Sequence, residues 1–347
     1  MKFSMKKRIV LIGLCAILAL SGCTSKEIES HYEDAVAALE AGDYDFAKAQ
    51  FQSIADSEKM VSESYRGIGI AEFQQGNYAE AAIAFSKSLL YLEGDHPEFE
   101  KDVKSYLAIS RIQRMEYDEA IKIYDELIED YDEAEYYYLR GKCYIAQKSY
   151  DKAEADFDAS AQRSTDATLF LNIYQIYNDL QMNADGADYL ERGLELLNDS
   201  DYYSHGLIYY YLQEYNNAKD ALIQAVNRDH DVEAMLLLGK VYLAMEDVAS
   251  ARAMYNEYVG DEEVAAEAYN GLALCDMEQG NYDSALMNIQ KGLTFGDTEA
   301  EKSLLFNEIC IYEQLSDWNN ARTKVEEYLM KYPGDEKVLR EQQFLNH

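Results

Sequence analysis

The chain has 347 residues, of which 31 are Lys or Arg and 65 are Asp or Glu, giving a formal net charge of −34 at pH 7. A charge of this sign and size repels nucleic acid and anionic lipid headgroups, which argues against both as partners. Only two prolines occur and no run of alternating polar and apolar residues stands out, so we expect an all-helical protein.

The first 22 residues differ in chemistry from the rest of the chain. A basic stretch at residues 2–8 is followed by a short apolar run at residues 9–20 and then by Ser21, Gly22 and Cys23. The apolar run is too short to span a membrane as a stable helix, but it suits a signal peptide. The sequence around Cys23 resembles the lipobox of bacterial lipoproteins, which implies removal of residues 1–22 and acylation of Cys23. The alternative is a chance cysteine behind an ordinary secretory signal.

The lipoprotein resemblance also implies a location. Residues 23–30 form a short tether, so we expect the folded chain to lie close to the outer face of a bacterial cell membrane, which it contacts only through the lipid. No aspartate follows Cys23, so the Gram-negative inner-membrane retention signal is absent, and the short tether favours a Gram-positive membrane over a Gram-negative outer membrane. Without residues 1–22 the chain has 27 basic and 65 acidic residues, a net charge of −38.

An alanine recurs between residues 31 and 334 at intervals of 31–39 residues. A period in this range predicts a stack of similar supersecondary units. An aromatic residue precedes seven of the nine alanines by three positions. The nine alanines are Ala47, Ala81, Ala120, Ala153, Ala187, Ala218, Ala251, Ala285 and Ala321.

The clearest copy of the repeat contains Gly141, Tyr144, Tyr150, Ala153 and Phe157. The two small residues suit a close crossing of two helices, and the three aromatic residues are expected to fill the space beside it. This spacing resembles the tetratricopeptide repeat (TPR). The resemblance implies an all-α, right-handed α-solenoid of about nine helical hairpins over residues 31–334, with a capping helix over residues 335–347.

Two copies depart from the pattern. The fifth, assigned to Ala187, has Ala184 at the aromatic position and Glu191 at the position of Phe157. The ninth has Ile309 where the first helix usually has a small residue. The longest interval includes residues 94–97, where we expect a longer loop.

The TPR resemblance implies a binding surface on the concave face, formed by the first helices of successive repeats. An acidic residue recurs near the start of these helices, and apolar or aromatic residues follow it. We therefore expect an apolar trough with an acidic rim, which suits a segment of another protein, with a basic segment as one option. The candidate residues are Tyr32, Glu63, Arg66, Ile70, Phe73, Asp102, Ile109, Glu135, Tyr138, Tyr203, Tyr210, Glu233, Leu236, Glu267, Asn270 and Phe306.

Two alternatives to this surface stay open. The negative charge can serve only to keep an exported protein soluble, and the apolar residues can pack on neighbouring helices. The five histidines are scattered and no nucleotide-binding or nucleophile motif occurs, so no cofactor, no metal and no enzymatic activity are expected. Cys143, Cys275 and Cys310 are predicted to be free thiols, because their repeats keep them apart.

These observations predict a membrane-anchored, extracytoplasmic scaffold for protein–protein interaction. An alternative is a pilotin-like or envelope assembly-factor lipoprotein that is dedicated to one secreted component. A third is a structural envelope protein without a dedicated ligand.

Overall fold

The structure is a computed structural model that describes residues 26–229, 231–296 and 298–346. Within these ranges it contains nineteen α-helices and no strand. The prediction of an all-α protein built of TPR-like hairpins is confirmed for this part of the chain. The chain divides into two compact units, Met1–Thr165 and Asp166–His347, called unit 1 and unit 2 below.

Unit 1 contains four consecutive hairpins, and each of its helices packs against the next one along the chain. The six residues between its fourth and fifth helices form the longer loop expected near Pro97, which is the first residue of the fifth helix. The helices are α1 (Lys26–Glu40), α2 (Tyr44–Asp56), α3 (Val61–Gln74), α4 (Tyr78–Leu90), α5 (Pro97–Gln113), α6 (Tyr117–Tyr131), α7 (Ala134–Ala146) and α8 (Tyr150–Arg163).

Unit 2 contains five hairpins followed by one further helix. First helices of neighbouring hairpins also contact each other in this unit, as α13 and α15 do. The helices are α9 (Ala167–Asp179), α10 (Asn183–Glu195), α11 (Tyr202–Tyr211), α12 (Tyr215–Asp229), α13 (Val232–Ala244), α14 (Val248–Tyr258), α15 (Ala265–Glu278), α16 (Tyr282–Leu293), α17 (Thr298–Gln314), α18 (Trp318–Lys331) and α19 (Glu336–Leu345).

The recurring small residues lie where the sequence analysis placed them in eight hairpins. Each of those eight alanines is 0% exposed. In the clearest copy, a Cβ atom on Gly141 would lie 2.7 Å from the ring of Phe157, which is itself 0% exposed. A larger side chain at either small position would overpack the hairpin, so the pattern of small residues follows directly from the helix crossing.

The aromatic residue three positions before the alanine does not always fill the space beside the helix crossing. In seven hairpins it is the first residue of the second helix. Tyr150 is 41% exposed and Trp318 is 43% exposed. The expectation that Tyr150 fills the space beside the crossing is therefore wrong, because that space is taken by Phe157, one turn further into α8.

Every hairpin turn contains one residue in the left-handed backbone region, five positions before the buried small residue. The nine φ angles range from 56° to 81°. Glycine adopts this conformation without strain, whereas other residues lose roughly 1–2 kcal/mol there. The nine residues are Gly42, Gly76, Met115, Lys148, Gln181, Gln213, Glu246, Gly280 and Ser316.

This turn corrects the register of the fifth hairpin. Gln181 has the positive φ, so the small residue five positions later is Gly186 and not Ala187. Gly186 is buried against Tyr174 and Tyr177, and Ala187 is only half-buried. The position of Phe157 is then filled by Leu190, which is 0% exposed. The apparent departures of the fifth copy came from assigning the wrong one of two adjacent small residues.

Two glycines of unit 2 allow the turn to be tested. Gly280 has a φ of +71°, Gly260 has no positive φ, and a Cβ atom would meet nothing within 4 Å at either position. We expect Gly280→Ala to lower the free energy of unfolding by about 1 kcal/mol because of backbone strain alone. Gly260→Ala is expected to leave it unchanged or raise it by up to about 1 kcal/mol. Urea denaturation followed by circular dichroism measures both, and equal effects would contradict the role given to the turn.

The two ends of the repeat array differ in what the structure describes. The predicted signal peptide, Cys23 and the first part of the tether lie outside the described residues, and α1 begins at Lys26. Among the described helices, none combines the length and the apolar character that crossing a bilayer requires. At the other end, α19 buries Val338 and Leu345, and its N-cap is Asp335, which accepts hydrogen bonds from two backbone N–H groups.

Candidate functional site

The candidate residues occupy four recurring positions on the first helices. The reference point is the first-helix residue at the helix crossing, such as Gly69 or Gly141. The candidates lie six and three residues before this crossing residue and one and four residues after it, on one side of the helix. We call this set the first-helix face of each unit. Helices α1, α3, α5 and α7 form it in unit 1, and α9, α11, α13, α15 and α17 form it in unit 2.

In unit 1 the face contains a buried ion pair. Arg66 on α3 is 5% exposed, and its Nε donates to Oδ2 of Asp102 on α5 at 2.5 Å. Burial lowers the pKa of Arg66, but the Asp102 carboxylate outweighs this and holds the pKa above its usual value. Both candidate residues are thus engaged with each other. Their contact joins two neighbouring first helices and leaves the guanidinium unavailable to a partner protein.

The apolar candidates of unit 1 are divided between packing and exposure. Ile70 is 3% exposed, and the ring of Phe73 makes edge contacts with Tyr78 and Tyr106 at centroid distances of 5.4 and 5.6 Å. Ile109 and Tyr138 are half-buried and remain accessible on the face. The alternative that apolar residues pack on neighbouring helices therefore applies to Ile70 and largely to Phe73.

The acidic residues follow a rule that relates consecutive repeats. In each repeat that has it, the acidic residue lies six residues before the crossing residue of the first helix. It is next to a side chain of the preceding repeat, the one three residues before that repeat's own crossing residue. Arg66 and Asp102 obey this rule, and Glu63 lies close enough to Tyr32 to raise its pKa. Burial is the larger cause, and the pKa of Tyr32 is raised to about 12. The residues of the acidic rim thus contact neighbouring repeats in addition to facing solvent.

Glu135 provides a test of how strongly the face desolvates its charges. Burial raises the pKa of Glu135, the nearby Glu133 adds to the shift, and Lys101 opposes it. The folded chain therefore holds this proton more tightly than the unfolded chain. Its contribution to stability is largest below the ordinary Glu pKa of about 4.3 and is lost as the pH rises through the raised value.

We accordingly expect Glu135→Gln to increase the free energy of unfolding at pH 7 and to have no effect at pH 3. Urea denaturation across this pH range is the measurement. Glu129→Gln, on the second helix α6 and off the first-helix face, removes the same charge and serves as the control. A gain at pH 7 that is as large for Glu129→Gln would show that net charge, not the face, is responsible.

In unit 2 the first-helix face opens into a groove with a volume of about 700 Å³. Its walls come from α11, α13, α15 and α17, with further residues from α18, α19 and the turn between them. Of the candidate residues, Tyr210, Asn270 and Phe306 line it. Leu236 and Glu267 line an adjoining recess of about 220 Å³, which shares Lys240 with the groove.

The remaining candidates of unit 2 lie apart from the groove. Tyr203 and Glu233 are not among its lining residues. Burial raises the pKa of Tyr203 to about 12, and the nearby Glu233 carboxylate adds to the shift. Tyr203 and Glu233 follow the same rule as Arg66 and Asp102, which indicates a contact between repeats.

Three lysines of the groove were missed by the sequence analysis as site residues. They are Lys240 on α13, Lys302 on α17 and Lys337 on α19. The ammonium group of Lys337 lies 3.5 Å from the ring centroid of Phe306, and that of Lys302 lies 5.1 Å from the ring centroid of Tyr332. Lys240 occupies a recurring face position, one residue after Gly239, which is the signal that could have identified it.

Amide groups connect the walls of the groove. Asn307 Nδ2 donates to Asn270 Oδ1 at 2.8 Å, which joins α17 to α15. The carboxylate of Asp335 is already used, because Oδ2 accepts from the Tyr328 hydroxyl at 2.7 Å and Oδ1 accepts from the backbone of α19. These contacts hold the lining residues in place without consuming the lysines.

The three remaining cysteines are free thiols, as predicted, within the described part of the chain. Cys143 and Cys275 are buried, and Cys310 is half-buried. Burial raises the pKa of Cys143 to about 12 and those of Cys275 and Cys310 to about 11. All three are therefore protonated and weakly nucleophilic at neutral pH.

Comparison with solved structures finds matches of low sequence identity. A tetratricopeptide repeat protein from Parabacteroides merdae is 17% identical, with 82% of this chain and 99% of that chain covered and a TM-score of 0.45. Yeast Tom70 is 13% identical, with 92% and 88% covered and a TM-score of 0.45. Pseudomonas aeruginosa PilF is 15% identical, with 60% and 96% covered and a TM-score of 0.35.

No curated protein matches the chain at the sequence level. A family model described as tetratricopeptide repeat matches residues 32–97, 107–168, 203–261 and 236–291. These matches cover more than half of the sequence, and they fall on the hairpins whose small residues, turns and first-helix faces are described above. The chain therefore belongs to the tetratricopeptide repeat family.

Proposed function

We propose that this protein is a membrane-anchored, extracytoplasmic scaffold that binds a segment of another protein on its first-helix faces. TPR proteins bind other proteins, and that general role fits this chain. The observation that carries the proposal is the groove of unit 2, about 700 Å³ in volume and lined by four first helices. It combines apolar walls with polar groups fixed by hydrogen bonds, the combination that binds peptide segments.

The proposed anchor is a lipid on Cys23, at the outer face of a bacterial cell membrane and, by preference, of a Gram-positive one. The support is the basic, apolar and small-residue order of residues 2–23. Only Thr24 and Ser25 separate Cys23 from the first residue of α1. A scaffold with so short a connection would hold its partner close to the membrane.

The anchor can be tested by expressing the full chain in a bacterium that is fed radiolabelled palmitate. We expect the wild-type chain to incorporate label and to sediment with membranes, and Cys23→Ser to lose both properties. Cys143→Ser removes a buried thiol and should retain both. Label that persists in Cys23→Ser, or a wild-type chain without label, would refute the anchor and leave the binding proposal standing.

The proposed partner is a protein, and neither a cofactor nor catalysis is part of the proposal. The negative charge of the chain attracts proteins with basic surfaces over distances of about a Debye length, ~8 Å at physiological ionic strength. A basic segment in contact with Glu63 and Glu135 of unit 1 is one way to use this charge, since both side chains retain exposure. Association that slows as salt is added would support it.

The binding proposal is tested with the full chain, cross-linked in its native envelope and then purified. We expect one or more partners with wild type and a reduced yield with Phe306→Ala, which removes a groove wall. Phe295→Ala removes an exposed aromatic ring that is not among the groove residues and serves as the control. A yield that is unaffected by Phe306→Ala would contradict binding in the groove.

The stoichiometry of the purified complex separates the two kinds of binding role. A single partner in a fixed ratio indicates a pilotin-like or assembly-factor lipoprotein, whose short tether would hold one envelope component at the membrane. Several partners indicate a general scaffold. Absence of any partner leaves the structural envelope role.

A further inference from the structure

The charge of the groove in unit 2 is opposite to that of the chain as a whole. Its lining includes Lys240, Lys302 and Lys337 and only two acidic residues, Glu278 and Asp335. The chain has about twice as many acidic as basic residues, so a groove in which lysines outnumber acids is a local reversal. The sequence analysis predicted an acidic rim and did not predict this reversal of charge.

The two acidic residues of the groove form no direct ion pair with its lysines. Asp335 uses both oxygens for the Tyr328 hydroxyl and the backbone of α19. Glu278 is exposed at the end of α15. Among the described residues, no carboxylate comes within 4.0 Å of any of the three ammonium groups.

Lys240 is the most informative of the three. It is accessible from the groove, yet protein atoms surround it, and this desolvation lowers its pKa although Glu267 opposes the shift. An anionic group of a ligand can therefore approach this ammonium group directly.

We infer that the groove of unit 2 binds an acidic segment of a partner protein, with its carboxylates on Lys240, Lys302 and Lys337 and its apolar side chains on Tyr210, Leu274 and Phe306. The inference rests on the proposed function and specifies the partner for this one groove. Asn270 and Asn307 also line the groove, and their amide groups can form hydrogen bonds with the peptide backbone.

The net negative charge of the chain does not prevent this binding. Charges further away than the Debye length of about 8 Å are largely screened at physiological ionic strength, whereas ammonium groups in contact with a carboxylate are not. Long-range repulsion therefore slows the approach of an acidic segment, and the groove lysines determine how long the segment stays. A partner that carries both a basic surface and an acidic segment would use both properties of the chain.

The test begins with selection from a phage library of random 12-residue peptides on the full-length chain. The wild type is expected to enrich peptides that combine two or more Asp or Glu residues with aromatic or aliphatic residues. The variant Lys240→Gln/Lys302→Gln/Lys337→Gln should lose this enrichment. The control is Lys142→Gln, because Lys142 occupies the same repeat position in unit 1 as Lys240 does in unit 2 and also has a pKa lowered by burial.

The best peptide is then labelled with fluorescein, and its affinity is measured by fluorescence polarisation. We expect at least a tenfold loss for the triple variant, a similar loss when the peptide's Asp and Glu are replaced by Asn and Gln, and less than a twofold change for Lys142→Gln. Circular dichroism verifies that the triple variant folds. Since none of the three lysines forms an ion pair with a described residue, we expect it to be as stable as the wild type.

Two other results have separate meanings. Enrichment of basic or neutral peptides that bind the triple variant equally well would overturn the inference and leave the scaffold proposal intact. No enrichment by any form of the chain would overturn both. Loss of binding in Lys142→Gln that equals the loss in the triple variant would place the site in unit 1 and also refute the inference.

Discussion

Gly239→Ala and Gly271→Ala are each expected to lower the free energy of unfolding by about 3 kcal/mol, the upper end of what overpacking usually costs. Tyr255 on α14 is 2% exposed, and its ring contacts the backbones of both glycines. A Cβ atom on Gly239 would lie 2.5 Å from Tyr255 Cζ, and one on Gly271 would lie 2.4 Å from the same ring. Because the ring is held between α13 and α15, it cannot move away from either methyl group.

A double-mutant cycle tests this explanation. In the Tyr255→Leu background the ring is absent, so adding Gly239→Ala should cost less than about 1 kcal/mol more. Urea denaturation gives the four free energies, and Gly260→Ala, a glycine with open space around it, controls for the loss of backbone flexibility. A cost for Gly239→Ala that is the same with and without the Tyr255 ring would contradict the proposed clash.

The same glycines position the groove. Gly239 precedes Lys240, and Gly271 follows Asn270, so a shift of either helix moves a residue that lines the groove. Tyr255 itself lines the adjoining recess. The close packing that makes the repeat pattern readable in the sequence is therefore also what places the amide and ammonium groups on one surface.

The parts of the fold that the sequence predicts are those with a strict steric requirement. Ala153 and Gly141 were identifiable because any larger residue at a helix crossing overpacks it. The fifth hairpin was misassigned because Gly186 and Ala187 are both small enough. The turn residue Gln181 resolves the ambiguity, but its positive φ is invisible in the sequence, since six of the nine turns use a residue other than glycine.

The site was harder to predict than the fold. Tyr210, Asn270 and Phe306 occupy recurring positions and were found, whereas Lys302 lies outside those positions and Lys337 belongs to the helix after the last repeat. A lysine on a helix is usually solvated, so only the arrangement in space distinguishes these three. Arg66 and Asp102 were expected to face a partner because the contact between consecutive repeats was not considered.

Arg140→Met is expected to lower the free energy of unfolding by about 3–5 kcal/mol, because it leaves a carboxylate buried without its partner. Arg140 on α7 donates from Nη2 and Nε to the two oxygens of Asp156 on α8, at 2.6 and 2.8 Å. Its Nη1 donates to Asp125 on α6 at 2.6 Å. Asp156 is 5% exposed, so water cannot replace the lost contacts.

The two carboxylates bound by Arg140 provide an internal comparison. The side chain of Asp125 is 52% exposed and that of Asp156 is 7% exposed, so Asp125→Asn should cost at most about 1 kcal/mol. The variant Arg140→Met/Asp156→Leu removes both buried charges and is expected to recover most of the stability lost in Arg140→Met. Guanidinium denaturation measures all three, and equal costs for Arg140→Met and Asp125→Asn would show that burial of Asp156 is not the cause.

Recovery in the double variant would also bear on why Arg140 and Asp156 form a buried ion pair. Apolar residues of similar size can stabilise such a site equally well, so the pair is not required for stability. Arg140 joins its own helix α7 to α6 and α8 through hydrogen bonds of fixed direction, which apolar contacts do not provide. If α7 in the double variant is as stable as in the wild type but exchanges its amide hydrogens faster, the ion pair serves to fix the register of the hairpin.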